Sequence, residues 1–81
     1  MSKRGHANPA DRRTRYTRSV IRQSLLELMG EKPFEKITVT EICKTSDINR
    51  GTFYLHYYDT LDVLDDLIDE AFADTSDIID H

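Results

Sequence analysis

Several absences narrow the reading of this 81-residue chain before any motif is considered. Cysteine occurs once, at Cys43, so neither a disulfide framework nor a thiolate metal set can form. No run of roughly twenty apolar residues is present and nothing has the form of a secretory leader, so no membrane span is expected and the cytoplasm is the expected location. Glycine occurs three times and nowhere as a phosphate-cradling loop. His6, His56 and His81 are too scattered to join Cys43 around a metal ion. Ser46, Asp47 and His56 supply the residue types of a nucleophilic triad, but a triad needs a pocket and an oxyanion site that so short a chain does not offer. No enzymatic activity, cofactor or metal is therefore expected.

Basic residues are also missing, but only from one part of the chain. Residues 59–81 hold nine carboxylates and no Lys or Arg, a charge of −9, whereas residues 1–22 hold seven basic side chains against Asp11, a charge of +6. Residues 23–58 carry −1, and the formal total is −4. A negative total argues against nucleic acid; its distribution reverses that argument, because the local field steers a protein onto phosphate. Residues 1–13, with Gly5, Asn8 and Pro9 and almost no apolar content, read as a flexible basic arm. Such an arm can lie along a phosphate backbone or in a minor groove, with Arg13, Arg15 and Arg18 the favoured contacts over Lys3 and Arg4; as a bare solubilising tail it would do neither.

Between these charged ends lies the most specific pattern, residues 38–58. Thr38-Val39-Thr40-Glu41 has the form of a capping box that opens a helix. Val39, Ile42 and Cys43 then share one helical face. Ser46-Asp47-Ile48 makes a tight turn, where Asp tolerates a left-handed backbone and Ile48 plugs the junction. Asn49 is a favoured N-cap for a second helix. Phe53 and Tyr57, four residues apart, point inward from it; Arg50, Thr52, Tyr54, Leu55 and His56 stay exposed. Arg50 can fork onto a guanine edge or a phosphate, and Thr52 can meet a base edge or a thymine methyl group. Tyr54 and His56 offer donors to phosphate oxygens. Gly51, in the first turn, leaves room for the helix backbone to approach a ligand closely. Two short helices joined in this way form a helix-turn-helix reader of DNA; the alternative is a helical hairpin with a solvated polar face.

The runs Phe34-Glu35-Lys36-Ile37-Thr38-Val39-Thr40-Glu41-Ile42 and Ile48-Asn49-Arg50-Gly51-Thr52-Phe53-Tyr54-Leu55-His56-Tyr57 resemble the amino-terminal domain of TetR-type transcriptional regulators, over roughly Arg15 to Phe72. The resemblance implies an all-α fold: a three-helix, homeodomain-like bundle, with a fourth helix leading toward a regulatory domain that this chain lacks. It implies that the segment matching Asn49 to Tyr57 enters the major groove, and that positions matching Thr38, Thr40, Arg50, Thr52, Tyr54 and His56 meet bases or backbone. It also implies a homodimer in the intact regulator, repression as the mode of action, and a palindromic operator. The chain departs from the pattern at four places. Asp47 replaces a usual Gly and Asn49 a frequent Ser; Thr60 stands where a Lys often contacts phosphate, leaving a hydroxyl or backbone N–H for that task; Leu55 replaces an Arg or other polar residue, so readout there is expected to be apolar.

The flanking segments read as scaffold. A first helix is expected over Arg15 to Met29, burying Val20, Ile21, Leu25, Leu28 and Met29, with Gly30 ending it. Phe34, Phe53, Tyr54, Tyr57 and Tyr58 are expected to supply much of the core. A fourth helix, capped by Asp59 or Thr60, carries the stripe Leu61, Leu64, Leu67, Ile68, Ala71 and Phe72 and ends near Phe72. Its Asp62, Asp65, Asp66 and Asp69 read as a solvated face, since no Gly-centred loop of alternating oxygens accompanies them. The expected organisation is thus a basic arm over 1–13, a helix-turn-helix domain over 14–58 and an acidic helix and tail over 59–81. A chain of this size has a modest core; it is expected to be a fragment of a longer regulator rather than a stand-alone module, and as such monomeric or weakly associated. A second function, docking of the acidic amphipathic fourth helix on a protein partner, is open at this level.

Overall fold

Four α-helices and one 3₁₀ turn succeed one another in a computed structural model that describes residues 9–79, with side chains described over residues 12–73. They are α1 (Pro9–Met29), a 3₁₀ turn (Phe34–Lys36), α2 (Val39–Ser46), α3 (Arg50–His56) and α4 (Thr60–Ile79), with no strand among the described residues. The all-α class expected from the sequence is the class observed.

Helix α1 begins six residues before the expected Arg15, so residues 9–13, expected within the arm, are helical. Proline suits a first helical turn, where its missing N–H has no intrahelical acceptor to lose and its fixed φ is already helical. Lys3 and Arg4 lie outside the described residues. Ile21, Ser24, Leu25 and Leu28 form the buried stripe of α1, whereas Met29, expected in that stripe, is exposed at its end. Ser24 is a polar residue in an apolar row; none of the described buried side-chain polar atoms lacks a hydrogen-bond partner. The helix ends where expected, but Gly30 does not take a left-handed conformation. Instead the Gly30 and Glu31 amides donate to the carbonyls of Glu27 (3.1 Å) and Leu28 (2.9 Å), tightening the last turn.

Both ends of α2 obey the local chemistry of the sequence. Thr38 Oγ1 accepts from the Glu41 amide (3.1 Å) and Glu41 Oε1 from the Thr38 amide (3.1 Å), closing the capping box. At the far end Asp47 is left-handed, φ 60° and ψ 46°, and its amide donates to Lys44 O (3.3 Å) while that of Ile48 donates to Cys43 O (3.0 Å). This pair of bonds is the Schellman arrangement, and Ile48 completes it by packing on the core. One residue later Asn49 Oδ1 accepts from the Thr52 amide (2.8 Å) and starts α3.

Ile21, Leu25, Leu28, Ile37, Ile42, Cys43, Phe53, Tyr57 and Val63 make the core, with Phe34, Val39, Ile48, Leu64 and Leu67 packed around it. Two expectations about the core are corrected. Of the five aromatic residues near the motif only Phe53 and Tyr57 are buried; Phe34 is half-buried, Tyr58 is exposed, and Tyr54 is exposed as its place on the outward face of the second helix requires. Helix α4 centres its buried face on Val63, with Leu64 and Leu67 of the expected stripe packed beside it, while Leu61, Ile68 and Phe72 of that stripe face away at 54%, 42% and 66% exposure. The helix carries two apolar stripes, and at about 3.6 residues per turn Leu61, Ile68 and Phe72 fall on the side remote from Val63. The carboxylate of Asp59 accepts from the Asp62 amide (2.9 Å) and caps α4, with Thr60 as its first residue. The helix runs past the expected end near Phe72 to Ile79.

Candidate nucleic-acid interface

Helix α3 has two opposed faces. Phe53 is fully buried and Tyr57 nearly so, and their rings lie 6.0 Å apart. On the other side Arg50, Gly51, Tyr54 and Leu55 are exposed, Leu55 at 81%, with Thr52 and His56 half-buried. The face expected to read DNA is therefore the outward face of the second helix, seated on α1 and α2 by its aromatic side.

Three of the expected site residues come together across the helix-turn-helix. Arg50 donates from Nη1 to Thr40 Oγ1 on α2 (2.7 Å) and from Nη2 to Tyr54 Oη one turn along α3 (3.3 Å). Its guanidinium carbon also lies 5.6 Å from the centre of the Tyr54 ring, within range of a cation–π attraction. The guanidinium thus sits over the groove between the two helices. Thr38 and Asn49, both expected at the site, have their side-chain oxygens occupied as helix caps. Glu41 in the same capping box pairs with Lys32; that ammonium and the Thr38 amide hold its carboxyl below the usual carboxylate range. Gly51 has a negative φ, and a Cβ there would meet only the Asn49 side chain, at 3.3 Å. Thr60 is half-buried at the start of α4.

The α1 arginines divide. Arg13 and Arg15 are exposed. Arg18, expected to contact phosphate, directs its donors inward: Nε to Tyr57 Oη (3.3 Å) and Nη2 to Asp66 Oδ2 (3.3 Å), with its guanidinium 4.7 Å from the Tyr57 ring centre. Arg22 donates to the same oxygen of Asp66 (3.1 Å), and the Tyr57 hydroxyl donates to it as well. Arg15, Arg18 and Arg22 line one wall of an open cleft of about 400 Å³, with Asp66 and Glu70 on the other.

Asp66 was expected on a solvated face; its side chain is instead 21% exposed and ties α4 to α1 and to the end of α3. Burial pushes its carboxyl up, but the bonds from Tyr57 and Arg22 and the field of both arginines outweigh this and hold it below the usual carboxylate range. The Tyr57 phenol is pushed up, by burial and then by its bond to the Asp66 carboxylate, so it stays protonated as the donor. Sequence reasoning missed this cluster because it followed the Leu61 stripe. Registering α4 on Val63 would have placed Asp66, three residues on, at the same face. Burial likewise pushes the Cys43 thiol up, as befits a small apolar core residue.

Among the described residues no group of three His, Cys, Asp or Glu side chains is placed to hold a metal ion, and no helix is long and apolar enough to cross a membrane. A family model described as bacterial regulatory proteins, tetR family, matches residues 21–67, which span α2, α3 and every core residue from Ile21 to Val63. YxbF of Bacillus subtilis (strain 168), an uncharacterized HTH-type transcriptional regulator, is 36% identical over 72 residues, covering 88% of this chain and 18% of that protein. The chain thus spans less than a fifth of the length of this curated relative. No solved structure matches the chain.

Proposed function

The chain belongs to the TetR family of bacterial regulatory proteins, a family of DNA-binding transcriptional regulators, and on that premise we propose that it reads one half-site of a palindromic operator through the outward face of α3. The observation that carries this reading is the pairing of faces on α3: Phe53 and Tyr57 anchor it, leaving Arg50, Thr52 and Leu55 free to meet base edges. Arg50 takes a guanine, and Leu55 and the Thr52 methyl group suit thymine methyl groups. The capped first turn of α3, with Gly51 at its surface, lets backbone approach phosphate, and His56, Thr60, Arg13 and Arg15 supply further phosphate contacts. Arg18 serves the domain from inside, as a partner of Tyr57 and Asp66.

In this reading the chain works in the cytoplasm as the amino-terminal part of a longer, homodimeric repressor. Its two copies read half-sites about one helical turn apart, roughly 34 Å, and occupancy of the operator blocks polymerase. The exposed Leu61, Ile68 and Phe72 of α4 favour a second role for that helix, contact with protein, which is compatible with the first.

Titration of the purified chain against duplex DNA at several salt concentrations tests the proposal. The logarithm of affinity should fall with that of salt at roughly −0.9 per neutralised phosphate, and Arg50→Ala should weaken binding without unfolding the chain. Flat, weak binding by both proteins, persisting after forced dimerisation, would refute DNA reading and leave the α4 contact as the function.

A further inference from the structure

The Arg50 side chain is exposed, yet its guanidinium is held at three points: the Thr40 hydroxyl at 2.7 Å, the Tyr54 hydroxyl at 3.3 Å and the Tyr54 ring at 5.6 Å. A long cationic side chain at a surface ordinarily samples many rotamers and loses that freedom when it binds. Here two helices share the task of holding it: Thr40 stands in the first turn of α2, and Tyr54 lies one turn beyond Arg50 on α3. Two of the five guanidinium N–H groups are engaged, which leaves three, enough for the pair of parallel bonds that guanine O6 and N7 accept. A phosphate needs no such aim, because it accepts from many directions. A base edge does.

We propose that Thr40 and Tyr54 are positioning residues that hold Arg50 as a pre-set fork for one guanine in the major groove, and that neither is itself a contact on which DNA affinity depends. This inference rests on the reading of α3 as the DNA-facing helix and deepens it: specificity at one base pair is set by a hydroxyl on the preceding helix. The roles of the two residues then differ in kind from that of Arg50. Removing Arg50 removes the contact. Removing the Thr40 hydroxyl leaves the cation in place but lets it wander, so preference falls while the electrostatic attraction persists.

Selection of the 81-residue chain on a randomised duplex library, followed by competition among the four base pairs at each selected position, provides the test. Thr40→Val keeps the shape and removes the hydroxyl. It should cut the preference for guanine at one position by about tenfold, the scale of one lost bidentate pair, with the salt slope unchanged. Thr40→Ser should restore the preference, and Tyr54→Phe should lower it more mildly, because the ring remains. In an Arg50→Ala background Thr40→Val should change nothing further. Additive losses in that double variant would overturn the inference. So would a Thr40→Val loss spread equally over all sequences with the slope reduced by about one, which marks a phosphate contact. Failure of the unaltered chain to show any salt-dependent binding, persisting after forced dimerisation, would overturn the reading of α3 itself, and this inference with it.

Discussion

Asp66→Ala offers the sharpest test of how the end of α3 is held. The carboxylate accepts from Arg22 at 3.1 Å, from Arg18 at 3.3 Å and from the Tyr57 hydroxyl, so one side chain joins α4 to α1 and to the end of α3. Truncation removes three charge-assisted bonds and leaves the buried Tyr57 hydroxyl without its acceptor. Bonds to a charged group contribute about 1.5–3 kcal/mol each when well shielded, but the Arg18 side chain is 39% exposed and solvent screens its share. The Tyr57 oxygen still accepts from Arg18 Nε, which limits the penalty further. A net loss of about 2–4 kcal/mol follows, well below the sum of the parts. Against the roughly 4–12 kcal/mol available to a chain of this length, that is a large fraction. Urea denaturation followed by circular dichroism would measure it, with Tyr57→Phe and the double variant closing a cycle. The double variant should lose clearly less than the two singles added together, because both remove the same bond. Asp66→Ala within about 0.5 kcal/mol of the parent, the background for surface changes, would refute the reasoning and return Asp66 to the solvated face.

Three further outcomes follow from the same structure. Because the folded state holds Asp66 below its unfolded value, its contribution is present above the unfolded pKa, near 4, and is lost as pH falls through the folded value; the acid limb of a stability–pH profile should therefore be flatter in Asp66→Asn. Phe53→Ala should cost about 3–5 kcal/mol, since the ring is fully buried against the core, and a loss of unfolding free energy in denaturant of less than about 1 kcal/mol would mean the ring's site refills. At the helix-turn-helix corner Asp47→Ala should cost about 1 kcal/mol, while Asp47→Gly should leave the thermal midpoint unchanged or raise it, because only a side chain pays for φ of 60°.

The charge asymmetry of the chain takes on a second meaning once α4 is in place. Seven basic residues near the start and nine acidic ones near the end suggest a dipole that steers the domain onto phosphate. Two of those arginines, Arg18 and Arg22, instead meet Asp66 inside the domain. The asymmetry is thus partly cohesive: opposite charges hold the first and last helices together. The cations left facing outward on the described part of α1 include Arg12, Arg13 and Arg15.

Much of the fold is legible in the chain because its signals are local. A capping box, a left-handed Asp and an N-cap Asn each act within three or four residues, so Thr38, Asp47 and Asn49 specify the helix-turn-helix corner whatever surrounds it. The inward pair Phe53 and Tyr57 is equally local, one helical turn apart. The start of α1 was less legible, because a polar, basic segment gives no apolar period to follow, though Pro9 is itself a starting signal. The register of α4 is ambiguous in the sequence for the opposite reason. Two apolar stripes satisfy the same period, and only contact with α1 selects Val63 over Leu61.

Sequence alone determined the elements, the turn and the identity of the outward residues of α3, since these depend on backbone chemistry and on which side chains lie a turn apart. The tertiary structure decided the pairings that cross between elements: Asp66 with Arg18, Arg22 and Tyr57, and Thr40 with Arg50. Those depend on how helices dock. The Arg18–Asp66 pair spans 48 residues and the Thr40–Arg50 pair 10, and no local period encodes either distance.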